Sequence, residues 1–166
     1  VTAWLAAILL VTMLSNGIAT VVGQWAVRAF DALLADNAAC YTVQDAIKDE
    51  TQAFARYVRQ PTSESEQAYT AACAAAEQSL AALPFDYARI GAERYARTWN
   101  LLQSYEGYRQ ERDAFLRLSP AADTYIERMY HVMALQDYLA EYALRLTQAT
   151  LEQENTLYSS TAAHIR

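Results

Sequence analysis

From Val1 to Val27 no residue carries a charge, and apolar side chains fill most positions of VTAWLAAILLVTMLSNGIATVVGQWAV. After Val27 charges of both signs recur, and apolar residues return at intervals of three and four, the spacing of a helix with one face to bury. Tyr87, Ile90, Tyr95, Trp99, Leu102, Tyr105 and Leu116 make one such series, and Ile126, Met129, Met133, Leu139, Ala143, Leu146 and Leu151 another. Pro61, Pro84 and Pro120 fall between the series. Proline fits a helix's first turn and disfavours helix in the residue before it, so each marks a break.

Four helices follow from these breaks. The first runs from the apolar segment to about Arg59. The second covers about Thr62 to Ala82, with Thr62 or Ser63 as cap and Glu64 and Glu66 at its positive end. The third runs from about Phe85 to Arg117. The fourth starts after Ser119, read as its cap, with Asp123 in the first turn. Short links between long helices favour antiparallel neighbours, so the expected fold is all-α, an up-down-up-down antiparallel four-helix bundle. In that arrangement helix four, long enough to reach about 70 Å at about 1.5 Å per residue, returns to the end where helix one enters.

The charge-free run would be about 40 Å long as a helix, against a hydrocarbon core of about 30 Å. Trp4 and Trp25 stand near its ends, where indole favours the membrane interface, while Ser15, Asn16 and Gly17 dilute its middle. We read residues 1–27 as a transmembrane helix and 28–166 as an extracytoplasmic helical bundle. The alternatives are a helix buried in a soluble core or oligomer, and a signal segment. Val1 is not an initiator Met, so further sequence is expected upstream.

Composition strengthens the helical reading: four Gly and three Pro leave little material for turns. About 140 residues after Val27 suffice for one domain with its own core. The net charge of −6 argues against a nucleic-acid surface. Cys40 and Cys73, placed about 12 Å apart along a hairpin turning near Pro61, are expected to be separate thiols, since a disulfide needs Cα atoms within about 7 Å.

No catalytic signature is present: HExxH, a Gly-rich phosphate loop, GxSxG and CxxC are all missing. The segment is therefore expected to be non-enzymatic, with no catalytic residues, cofactor or metal. The nearest approach to a metal motif is Glu127 with His131, short of the paired ExxH of di-iron bundles, and His164 has no visible partner. The candidate binding patch lies on helix three, where Arg94 and Arg97 accompany Tyr95 and Trp99, a combination suited to a carboxylate or aromatic ligand. The simpler reading is a solvated face, because Arg89 with Glu93, Glu93 with Arg97 and Glu106 with Arg109 are stabilising three- and four-residue pairs. Tyr125, Tyr130, Tyr138 and Tyr142 are read as a packed wall of helix four.

A charge-free helix leading into a bundle whose last helix turns back to the membrane resembles the N-terminal sensory region of bacterial two-transmembrane receptors, most of all sensor histidine kinases. The resemblance rests on layout. It implies a second membrane helix beyond Arg166 and a cytoplasmic kinase, a homodimer in the bacterial cell membrane, and an extracytoplasmic domain that senses a small ligand or protein partner and signals by helix shifts. A chemoreceptor sensory domain and a non-signalling helical scaffold are the alternatives.

Overall fold

The computed structural model describes the backbone of residues 2–164, with side chains at 4, 11–13, 15–17 and 20–159. It is all-helical: α1 spans Thr2–Arg59, α2 Ser63–Ala81, α3 Tyr87–Leu116 and α4 Tyr125–His164, with no strand among the described residues. Ser15, Asn16 and Gly17 do not interrupt α1, and the Thr20 hydroxyl donates back to the Asn16 carbonyl at 2.8 Å.

The breaks fall at the prolines, but the ends are set by local chemistry. Thr62 caps α2 in a reciprocal capping box with Ser65, each accepting from the other's backbone N–H. Asp86 caps α3 by accepting from the Ala88 N–H at 3.0 Å. Helix four begins later than the sequence pattern predicts. Ser119 accepts from the Ala121 N–H at the turn carrying Pro120, and α4 starts only at Tyr125, so Ser119 caps a turn and Asp123 precedes the helix.

The chain forms two compact units. One combines the stretches up to Ala35 and from Glu154 onward; the other is Asp36–Gln153. In the first unit Trp4, Val11, Met13, Val21, Val22, Trp25 and Val27 all face outward. Among the described residues α1 contains one window apolar enough to cross a membrane by length and composition, and only 6% of that window is buried. Where α1 leaves the apolar run, Ala26 and Phe30 share a groove with Leu157 and Tyr158 of α4.

The Asp36–Gln153 unit has a true core. Buried positions alternate by threes and fours on α1 (Asp36, Cys40, Val43, Ile47, Glu50, Phe54), on α3 (Ile90, Arg94, Thr98, Leu101, Tyr105, Tyr108, Arg112, Phe115) and on α4 (Val132, Gln136, Leu139, Ala143, Leu146, Thr150). That alternation is the coiled-coil seam period. α2 adds Tyr69, Ala76 and Leu80. Phe54 closes one end against Tyr69 and Phe115, with ring centroids 5.9 and 5.8 Å away. Cys40 and Cys73 are free thiols, as their offset predicts; Cys40 lies 3.6 Å from the Thr150 hydroxyl, across to α4.

Candidate functional site

Polar side chains occupy several of these seam positions, and they gather into two clusters. The larger centres on Glu50 of α1 and Arg112 of α3, whose side chains are 2% and 6% exposed and meet at 2.5 Å. The second Glu50 oxygen accepts from the Tyr105 hydroxyl at 3.0 Å, and the Cys73 thiol of α2 points at the first at 3.6 Å. The Arg112 guanidinium lies over the rings of Tyr69 and Tyr108, 5.8 and 5.4 Å from their centroids, a cation–π arrangement. Tyr108 in turn accepts a 3.0 Å hydrogen bond from Gln136 of α4. One network therefore touches all four helices.

Its electrostatics follow from burial. Desolvation, and then the Glu50 carboxylate, raise the Tyr105 and Tyr108 phenols well above their ordinary range. Burial also pushes the Cys73 thiol up to about 11, with Glu50 adding to the effect. Burial opposes charge on Arg112, yet Tyr69, Cys73 and Glu50 together outweigh it and hold its pKa above the ordinary guanidinium value. The cluster is thus a neutralised ion pair wrapped in protonated phenols and an unreactive thiol, a structural lock with no activated nucleophile.

The second cluster surrounds Asp36 of α1. Arg94 donates to one carboxylate oxygen at 2.9 Å and Arg89 to the other, and Arg94 also donates to Gln153 of α4 at 2.9 Å. Gly91 makes this possible. Its φ of +78°, in the left-handed region that glycine tolerates, kinks α3 between the two arginines. The same kink takes Arg89 out of helical register with Glu93, so the expected Arg89–Glu93 pair gives way to Arg89–Asp36. The other two expected pairs form: Glu93 with Arg97 at 2.7 Å and Glu106 with Arg109 at 2.9 Å, both on exposed faces.

The sequence-predicted patch is divided by this geometry. Arg94 is 4% exposed and committed to the interior, whereas Arg97 is held outward by Glu93. Tyr95 and Trp99 flank Phe85 in near-parallel stacks, centroids 4.5 and 5.9 Å away, and Tyr87 meets Tyr95 edge-on. The two aromatics are brought together; the two arginines are not. On α4, Tyr125 and Tyr142 pack against the core while Tyr130 and Tyr138 are exposed. His131 is half exposed, 4.0 Å from a Glu111 oxygen that also accepts from Arg128, and the side chain of His164 lies outside the described residues. Among the described residues no group of three or more His, Cys, Asp or Glu could hold a metal ion.

Sequence reasoning missed Glu50, Asp36, Tyr105 as a hydrogen-bond donor, and Gln136. The available signal was period: each sits at a seam position, three or four residues from an apolar neighbour. Set against protein-family models, characterised proteins and solved structures, the chain matches none of them.

Proposed function

We propose that residues 28–166 are the extracytoplasmic sensing domain of a membrane-bound receptor of the sensor histidine kinase type, anchored by residues 1–27 and working as a homodimer. The observation that carries this reading is the outward-facing apolar length of α1, joined in one unbroken helix to a packed domain. The exposed apolar side chains of Val11, Met13, Val21, Val22, Trp25 and Val27 need a cover, and lipid suits the length of the run, its lack of charge and its flanking Trp residues.

An up-down-up-down topology is part of the proposal. It is supported by the order of contacts: Phe54 and Glu50 of α1 meet Tyr69 and Cys73 of α2, Asp36 and Glu50 meet Arg94 and Arg112 of α3, and Cys40 meets Thr150 of α4. Numbers rise together between α1 and α3 and run oppositely between α1 and α2; they also run oppositely between α1 and α4, where Cys40 meets Thr150 while Ile47 and Thr51 line a groove with Gln136 and Ala143. In such a bundle signal passes as a small shift between packed helices. The buried charge pairs tie α1 to α3, while α4 is joined by hydrogen bonds at Gln136, Thr150 and Gln153, the last donated by the charged Arg94, and by the exposed Arg128–Glu111 pair. Neutral hydrogen bonds and exposed ion pairs are worth about 1 kcal/mol or less and a hydrogen bond from a charged group about 1.5–3, whereas a broken buried ion pair costs about 3–5, so α4 is the element freer to move. Kinase chemistry would belong to sequence beyond this segment.

The test is twofold. A reporter enzyme active only outside the cytoplasm, inserted at the Gln60–Thr62 or Leu118–Pro120 turn, is expected to be active in membrane-pelleted protein. The complete reading frame is expected to show a second apolar span and a kinase region. A protein found in the soluble fraction, or a frame with no second span, overturns the receptor and leaves a helical scaffold.

A further inference from the structure

A groove of about 440 Å³ opens between α1 and α4 inside the Asp36–Gln153 unit, within the size range of small-molecule sites. Lys48 of α1, the single Lys of the chain, and Asp137 of α4 both line it. They are exposed, and among the described residues neither forms an ion pair with the other or with anything else. Gln136 also lines the groove although it is only 4% exposed. Its amide N–H is donated to Tyr108, and its Oε1 has no hydrogen-bond partner among the described residues. Ile47 and Ala143, both buried, and the exposed Leu144 supply apolar wall.

Opposite charges that line one groove without meeting are complementary to a ligand carrying both. A simple cation or anion would satisfy one and leave the other facing it with like charge. We propose that this groove binds a small zwitterion with an aliphatic body, of the free amino acid class. Its carboxylate lies at Lys48, its ammonium between Asp137 and the free oxygen of Gln136, and its hydrocarbon against Ile47, Ala143 and Leu144. Two charge-assisted contacts supply orientation and the wall supplies apolar burial. As the input of the sensor the site rests on the reading given above; as a binding site it is measured independently of any membrane. The Tyr108–Gln136 hydrogen bond then links the ligand to the Glu50–Arg112 network.

The experiment is isothermal titration of the full chain in detergent micelles with L-leucine, γ-aminobutyrate, glycine betaine, butylamine and butyrate. Leucine or γ-aminobutyrate is expected to bind with a Kd of about 1 mM or tighter. Butylamine and butyrate, each lacking one charge, are expected to bind about tenfold or more weakly, as is betaine, which has no N–H for Gln136. Lys48→Met and Asp137→Asn, both surface changes, are each expected to weaken binding about tenfold or more with unchanged helicity. If neither primary-ammonium zwitterion binds, or if the two variants bind as the parent does, the site is refuted. Protein that binds leucine yet fails the topology test keeps this site and loses the receptor; protein that sits in the membrane yet binds no zwitterion loses only this site.

Discussion

Replacing Arg112 by Met is the sharpest probe of the interior. It leaves the Glu50 carboxylate, 2% exposed, facing only the Tyr105 hydroxyl and the Cys73 thiol, and it removes two cation–π contacts. Breaking a buried pair from one side costs about 3–5 kcal/mol. A domain of this size has only about 5–15 kcal/mol of stability in total. Glu50→Leu should cost less, because Arg112 retains Asp113 at 2.9 Å, a carboxylate half exposed to water. The double variant Glu50→Leu, Arg112→Met should recover most of the loss, since replacing both charges by apolar groups of similar volume is often neutral or stabilising. The cycle is read from urea unfolding of the full chain in mild detergent, followed by far-UV circular dichroism. A coupling energy above about 2 kcal/mol is expected, given the single contact network shared by the two residues. If Arg112→Met costs less than about 1 kcal/mol and the two changes add, the pair is water-screened like a surface ion pair and the lock does not exist.

Further outcomes follow from the same geometry. Gly91→Ala places a Cβ in open space but at φ +78° and ψ 167°, a combination open essentially to glycine alone, so a loss of about 1–3 kcal/mol, visible as a lower thermal midpoint, is expected from the backbone alone. Arg97→Gln, which removes an exposed pair with Glu93, should change stability by less than about 0.5 kcal/mol in the same melt, and a larger loss would mean that Arg97 does more than stabilise an exposed face. Cys73 titrates at about 11 in the folded protein against an ordinary 9.0, so the folded state holds the proton more tightly. Its contribution is complete below pH 9 and disappears as pH rises to about 11; the raised Tyr105 and Tyr108 act in the same sense at higher pH. Urea midpoints should therefore fall between pH 9 and 11, less steeply in Cys73→Ala, and a flat profile would contradict the burial of these groups.

The sequence made four helices and their breaks legible because Pro61, Pro84 and Pro120 act locally, through φ and a missing N–H. The seam was harder to read. The predicted face of α3 included Tyr87 and Trp99, which are exposed, and omitted Leu101, Tyr108 and Phe115, which are buried. Hydrophobicity ranks Trp above Arg, yet Arg94 and Arg112 hold seam positions because Asp36 and Glu50 wait there on α1. A charge is buried only where a partner charge and hydrogen bonds await it, and that partner is 58 or 62 residues away in sequence. The same long-range pairing explains the divided patch. Arg94 and Arg97 differ by three positions, close enough to share a helix face, but Asp36 draws one inward while Glu93 holds the other at the surface. Gly91 adds a local cause that composition hides, a left-handed residue inside an apparent helix. Periodicity taken without regard to residue type, at alternating threes and fours, places Glu50 beside Ile47 and Phe54 and Gln136 beside Val132 and Leu139, and so marks the polar lock within the sequence itself.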